Sequence, residues 1–259
     1  MALFVTGATG FLGRRLLSVL DAAGAGPVLC LARTPSALPK GSRAVPGDLL
    51  DPSSYRAALA GCDTVVHLAA VTGKASLDEH RRVNAEGTRI LLEACRDAGV
   101  GRFVHVSSIA VTYPDLGAYA YALTKAEAEA HVRASGLDFA IVRPTVVLGP
   151  GSPLAGKFRA LATAPVMIVL GSGRTRMSPV HVGDVAECLE WLARCERLGG
   201  RTFGLGGRDV VTVEEFLRRM RAALGKGQGP VVHVPIRPIV AGLAQLQKVA
   251  LPLLPVTAG

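Results

Sequence analysis

The first twenty-four residues constrain the fold more than any other stretch. Ala2-Leu3-Phe4-Val5 is a short apolar run. Thr6-Gly7-Ala8-Thr9-Gly10-Phe11-Leu12-Gly13 follows at once, and Phe11–Ala23 carries apolar residues at helical spacing up to Gly24. Three glycines thus stand between a strand and an amphipathic helix. Glycine permits a tight turn and lets backbone N–H groups come close to an anion, and the helix N-terminus adds its positive end. The spacing is G-x-x-G-x-x-G rather than G-x-G-x-x-G, but the physics is shared. Gly7, Thr9, Gly10, Phe11, Leu12 and Gly13 are therefore expected to hold the diphosphate of a dinucleotide. The plain alternative is a strand–helix turn with no ligand.

The pattern continues beyond that turn. Strand-like runs occur at Val28–Ala32, around Val45, and at Thr64–Leu68, Phe103–Val106 and Phe139–Val142. Helix-like segments occur at Pro52–Ala60, Leu77–Ala98 (stopped by Gly99) and Ala118–Ala134 (stopped by Gly136). Strand–helix alternation with short links predicts an α/β fold, a Rossmann-type doubly wound parallel sheet. After Pro144 the rhythm changes. Gly149–Pro153 and Gly225–Pro230 read as loops, Val166–Leu170 and Val180–Val182 as strands, and Asp184–Cys195 and Val213–Leu224 as helices. The expected division is a core over 1–150, a small C-terminal substrate lobe over 151–235 interleaved with it, and an apolar tail over 236–259.

Composition narrows the class. With 49% hydrophobic and 19% charged residues in 259, the chain excludes disorder, collagen and coiled coil as whole-chain readings. A core of this size needs no disulfide or metal staple. The five cysteines, Cys30, Cys62, Cys95, Cys188 and Cys195, are odd in number and never at C-x-x-C spacing. No zinc site or disulfide framework is expected, and a reducing, cytoplasmic setting is. No signal peptide precedes the first apolar run. The net charge of +9 invites a nucleic-acid reading, but the basic residues are scattered and aromatics are only 5%. No nucleic-acid partner is expected. In the tail, 13 residues separate Pro238 from Pro252, against roughly 20 for a membrane span. The tail reads either as a helix packed on the lobe or as an amphipathic surface anchor that gives peripheral membrane contact.

Several side chains carry the expected chemistry. At the end of the second strand an acidic residue would bind the ribose 2′-hydroxyl of NAD; Ala32 stands there, and Arg33 follows. A guanidinium suits a 2′-phosphate, so NADP is expected over NAD. Asp48-Leu49 is placed to meet the adenine, with a turn or capping aspartate as the plain alternative. His67 reads as a core histidine, and Leu68, Ala69 and Ala70 leave room for the ribose. Tyr121 and Lys125 stand at i and i+4, on one helix face. A free phenol has a pKa of about 10, so the nearby ammonium and a cationic nicotinamide are expected to lower it. Ser107-Ser108 ends the fifth strand, at the sheet edge where ligands bind in this architecture.

Together these residues resemble the short-chain dehydrogenase/reductase superfamily, in its extended, epimerase/dehydratase-like branch. The landmarks are TGATGFLG at Thr6–Gly13, GDL at Gly47–Leu49, HLAA at His67–Ala70, VNAEGT at Val83–Thr88, VHVSSIAV at Val104–Val111, YALTK at Tyr121–Lys125, RPTVVLGP at Arg143–Pro150 and PVHVGDVA at Pro179–Ala186. The resemblance covers about Ala2 to Leu217. It implies that Tyr121 is the general acid/base, that Lys125 tunes it and holds the nicotinamide ribose, and that Ser108 stabilises the reacting oxygen. It further implies that Asn84 supports a proton relay, that Ser107 lies by the cofactor, and that Pro144 and Val146 lie along the nicotinamide. His181 and Asp184 would organise the lobe. Helix-paired homodimers are common in this superfamily.

Departures from the branch narrow the reaction. Ile109-Ala110 follow Ser108 where similar sugar-nucleotide dehydratases carry an acidic pair. Thr145-Val146-Val147 stand where many epimerases carry an asparagine, and Met177 where they carry an arginine, with Arg174 and Arg176 close by. RPTVVLGP is more similar to the dihydroflavonol-reductase and 3β-hydroxysteroid-dehydrogenase groups. The expectation is an NAD(P)-dependent oxidoreductase acting on a small or lipid-like ketone or alcohol. Two alternatives stand beside it: a sugar-nucleotide epimerase with tightly held NAD, and a non-catalytic cofactor-binding scaffold or redox sensor.

Overall fold

The computed structural model describes residues 1–39, 42–117 and 119–235. The apolar tail, with both of its readings, lies outside them. The chain runs β1 (Leu3–Thr6), α1 (Phe11–Ala22), β2 (Val28–Ala32), β3 (Arg43–Pro46), α2 (Arg56–Leu59), β4 (Thr64–His67), α3 (Leu77–His80), α4 (Gly87–Asp97), β5 (Arg102–Val106), α5 (Ala120–Arg133) and β6 (Asp138–Pro144). It continues with β7 (Val147–Leu148), α6 (Pro153–Thr163), β8 (Met167–Leu170), β9 (Arg176–Met177), β10 (Val180–His181), α7 (Val182–Arg194), β11 (Arg201–Leu205), β12 (Val211–Thr212), α8 (Val213–Ala223) and β13 (Val231–Val234).

Seven strands form one sheet in the order β11-β6-β5-β4-β1-β2-β3, and every pairing in it is parallel. The order reverses beside β1, which makes the C-terminal ends of β1 and β4 a switch point for ligand binding. Both faces of the central strands are covered, so β1, β2 and β4 read as largely apolar runs. Phe4, Val65, Phe103 and Ile141 turn one way and join Leu59, Leu91, Leu92, Cys95 and Val132 from the helices in a dry cluster. On the other side α1 packs against α7. Gly183 and Ala186 keep the buried stripe of α7 slim, so the two helices come close.

The register brings Thr6, His67 and His105 level across β1, β4 and β5. Three polar side chains therefore sit side by side near the sheet's C-terminal edge.

The chain separates into two compact units. One comprises Met1–Thr145 with His181–Leu205, the other Val146–Val180 with the segment from Gly206. The first unit is thus discontinuous: after an excursion of 35 residues the chain returns to it as α7 and β11. In the second unit β8 pairs with β13 in parallel and β9 with β12 antiparallel.

Some local expectations need correction. Pro52–Ala60 is a 3-10 turn, Pro52–Ser54, followed by the short α2. Leu77–Ala98 is helical, but Arg81–Glu86 between α3 and α4 is wound as a π-helix. Helix α6 has no counterpart in the sequence reading. Ser152 caps it by accepting from Ala155 N at 3.3 Å, with Pro153 at its first position. β11 also went unread, because Gly204 interrupts its pattern; the open edge of β6 supplies the pairing that makes it a strand.

Candidate active site

Each glycine of the first turn meets a different demand. Gly7 has φ +71, and a Cβ there would lie 2.6 Å from Ala69 N. A Cβ at Gly13 would run into Gly7 O and Ala8, so the helix could not seat against the turn. Gly10 N donates to Gly7 O at 3.0 Å, and a Cβ at Gly10 would meet nothing closer than that same oxygen, at 3.2 Å. The Gly10 side of the turn is open. No side chain caps α1 and no acidic residue stands in its first turn, which leaves its positive end free for an anion. The donor set and the open cradle fit a dinucleotide diphosphate.

Gly7, Thr9 and Gly10 line a cleft of about 380 Å3 together with Arg33, Asp48, Leu49, Leu68, Ala69 and Ala70. Phe11, Leu12 and Gly13 stand in the first turn of the helix beside it. Arg33 is exposed at the end of β2, next to the buried Ala32. Asp48 Oδ1 accepts from Leu50 N at 2.9 Å, a turn bond that orients the carboxylate. Tyr55 donates to Leu49 O at 3.1 Å and fixes the segment from below. The cleft also includes Glu79 and Arg82, which sequence reading missed.

His67 is a core histidine, as expected. Thr88 Oγ1 donates to Asn84 O at 2.6 Å, so it accepts from His67 Nε2, 2.9 Å away. His67 Nδ1 in turn accepts from Thr6 Oγ1 at 2.6 Å. Burial and the charge of Lys125 push the imidazole down to about 3, so it stays neutral.

Asn84 lies in the π segment and is fully buried. Its Oδ1 accepts from Val71 N at 2.7 Å, and its Nδ2 donates to Val71 O at 3.1 Å and Thr124 Oγ1 at 3.2 Å. These bonds clamp the loop after β4 onto α5. Neither Tyr121 nor Lys125 is among its hydrogen-bond partners in these contacts.

The structure does bring Ser108 and Tyr121 together. Ser108 Oγ accepts from Ala110 N at 3.2 Å, capping the turn Ile109–Thr112, and its hydroxyl lies close enough to the Tyr121 phenol to favour the ionised form. The Tyr121 ring is flanked by Tyr119 at 5.8 Å and, edge-on, by His80 at 6.2 Å. Burial, then Tyr119, push the Tyr121 phenol up to about 12, and the Ser108 hydroxyl offsets part of this. This corrects the expectation that Lys125 lowers the phenol: in the protein alone burial dominates. Lys125 is fully buried, and desolvation brings it down to about 7 against the opposing pull of Glu129. Its Nζ donates to His105 Nε2 at 3.0 Å.

Ser107 is buried. Its backbone N donates to Val142 O at 2.7 Å, and its hydroxyl leans toward Glu129, helping to hold that carboxylate low without reaching full hydrogen-bond geometry. Glu129, also missed in the sequence, is gripped by Arg143 at 2.8 and 2.6 Å and by Arg133 at 3.1 Å. The arginine of RPTVVLGP thus fastens β6 to α5. Pro144 ends β6, while Val146 opens the second unit. His181 caps α7 by accepting from Gly183 N at 3.1 Å, with Asp184 in the first turn of that helix.

Among the described residues no helix is long and apolar enough to cross a membrane. Comparison with known proteins agrees with this geometry. Residues 3–206 match the model of the NAD dependent epimerase/dehydratase family. The chain is 35% identical over 225 residues to a ceramide reductase of Caulobacter vibrioides, covering 85% of this chain and 70% of that protein. It is 35% identical over 242 residues to a farnesyl-dihydroquinoline-oxide ketoreductase of Stigmatella aurantiaca, covering 84% and 71%. Among solved structures it is similar to a dTDP-glucose 4,6-dehydratase of Streptomyces venezuelae with NAD bound. That likeness has a TM-score of 0.77 and 27% identity, over 91% of this chain and 84% of that one.

Proposed function

The chain belongs to the NAD dependent epimerase/dehydratase family, and from that premise we propose that it is an NADP(H)-dependent reductase of a lipid-like ketone, or the reverse dehydrogenase. The observation that carries the reading is the closeness of the Ser108 hydroxyl to Tyr121 at the sheet edge, with Ile109-Ala110 rather than an acidic pair beside it. Dehydration of a sugar nucleotide needs a second acid–base group, and this turn supplies none. The similarity to a ceramide reductase and a farnesyl-bearing ketoreductase supports an apolar substrate.

Gly7, Thr9, Gly10 and the start of α1 would hold the cofactor diphosphate, Asp48 and Leu49 its adenine end, and Arg33 its 2′-phosphate. Bound, the cofactor supplies the hydride; the chain supplies the proton and the positioning. With its phenol up at about 12, Tyr121 is protonated at neutral pH. It is the general acid that delivers the phenolic proton to the carbonyl oxygen as that oxygen gains charge. Ser108 would stabilise the reacting oxygen beside it. The phenolate left on Tyr121 is stabilised when Lys125, one helical turn on, carries its proton. Placing these groups on α5 and the end of β5 fixes their separation before substrate arrives.

The test is titration of the purified protein with NADPH and NADH, followed by a panel of ketones from short to long-chain. Exchangeable binding with NADPH preferred, and turnover rising with ketone chain length, is the expected result. NAD retained through purification without net turnover would replace this reading with the epimerase one.

A further inference from the structure

Charge is distributed unevenly between the two units. The first holds eighteen basic and seventeen acidic side chains. The second has four basic residues and no acidic one over 146–180, and from Gly206 to Pro235 five basic against three acidic. Those three carboxylates already have partners: Asp209 and Glu215 share Arg219, and Glu214 meets Arg218 and His233. Lys157, Arg159, Arg174, Arg176, Arg208 and Lys226 are exposed and have no acidic partner among the described residues.

Among the described residues the same unit leaves an aliphatic face uncovered. β8 and β13 pair with Ile168 beside Val232 and Leu170 beside Val234. Met167, Val169 and Val231 turn onto a core of Phe158, Ala162, Leu217 and Met220. Side chains alternate along a strand, so Ile168, Leu170, Val232 and Val234 share the opposite face. Ile168 is 49% exposed, Leu170 58% and Val232 48%. A sheet with one solvated face ordinarily places polar residues there. A contiguous apolar face in a strongly cationic setting marks an interaction surface.

We propose that this ribbon docks on an anionic membrane surface, its aliphatic side chains entering the headgroup boundary and the unpaired cations of the unit meeting lipid phosphates. A second copy of the chain is a poorer occupant, because it brings the same excess of cations. Nucleic acid would satisfy the cations but not a row of isoleucine, leucine and valine. The proposal uses no residue of the candidate active site, so it stands or falls independently of the reaction assigned there.

The experiment is flotation of the full chain with phosphatidylcholine vesicles, with and without phosphatidylglycerol. Binding is expected only to vesicles containing phosphatidylglycerol, falling steeply as salt shortens the screening length. The double substitution Arg174→Gln/Arg176→Gln is expected to weaken partitioning by roughly fivefold per cation removed. Ile168→Ser/Leu170→Ser is expected to abolish flotation. NADPH binding and the thermal midpoint of both variants serve as the control for folding. No flotation of the parent chain, equal flotation on both vesicle types, or undiminished flotation of both variants each overturns the proposal. The last outcome would assign the contact to residues 236–259. Binding to an acidic polypeptide without binding to vesicles overturns it in favour of a protein partner.

Discussion

Lys125 Nζ and His105 Nε2 lie 3.0 Å apart, both side chains withdrawn from solvent beneath the sheet edge. Burial, then Lys125 and His67, hold His105 well below the usual imidazole range, so its Nε2 is an acceptor and its Nδ1 carries the proton. That Nδ1 has no partner among the described residues. An ammonium offered one neutral acceptor in a dry place is poorly compensated, which accounts for a lysine near 7 rather than 10.5.

The lysine gives stability a specific pH dependence. Between about 7 and 10.5 the unfolded chain keeps the Lys125 proton and the folded chain does not. Stability from this group therefore rises with pH across that window and is flat below it. Thermal midpoints of the parent and Lys125→Met, measured on either side of neutrality, should diverge in the parent's favour as pH rises. Parallel curves would contradict a desolvated lysine. His105→Phe removes the acceptor and should move the kcat/KM inflection assigned to Lys125 to lower pH.

Tyr121→Phe should reduce kcat by about 10²–10⁴-fold, the range for loss of a general acid, with NADPH affinity unchanged. Tyr119→Phe should stay within about tenfold, because Tyr119 only flanks the reacting ring. Steady-state kinetics beside fluorescence titration separates the two. If Tyr119→Phe were the inactive variant, the roles would be reversed.

Cofactor choice should follow the end of β2. Arg33→Ala is expected to weaken NADPH binding by about tenfold or more, the scale of one charge-assisted bond, and to leave NADH nearly untouched. Ala32→Asp should improve NADH relative to NADPH, since a carboxylate there accepts from a 2′-hydroxyl and repels a 2′-phosphate. Equal loss of both cofactors in Arg33→Ala would point to a structural role.

Glu129→Ala would leave Arg143 half-buried without its partner. The expected cost is about 2–3 kcal/mol, below that of breaking a fully buried pair, because water still reaches the guanidinium. Chemical denaturation measures it. The carboxylate is held below its usual range mainly by Arg143, against the opposing effect of burial. Its contribution is therefore complete above the ordinary carboxylate pKa and is lost as pH falls through the depressed one. The variant's deficit should shrink in acid.

The fold was legible wherever periodicity and punctuation agreed. The apolar runs at Leu3–Thr6 and Val28–Ala32 and the glycine stops at Gly24, Gly99 and Gly136 mark elements whose local preference matches their tertiary use. The π turn at Arg81–Glu86 was not legible, because one extra residue in a helical turn hardly disturbs an amphipathic pattern. The candidate catalytic pair was legible from spacing, since i and i+4 share a helix face. The protonation of that pair was not, because burial outweighs a neighbouring charge and burial comes from distant chain segments. Glu129 illustrates the same limit. Nothing near it in the sequence announces that Arg143, fourteen residues on, will close over it.

The discontinuity of the first unit has a consequence during synthesis. β6 has β5 on one side and β11 on the other, and β11 is made 57 residues after β6 ends. At ribosomal speeds of about 5–20 residues per second, the outer edge of β6 stays without its partner for roughly 3–11 s. That edge, Ala140 to Pro144, is a row of open backbone donors and acceptors, available to any other extended chain. A chain released before Leu205 would keep it open for good. Truncated products should therefore aggregate even when every residue of the candidate active site up to Lys125 is present.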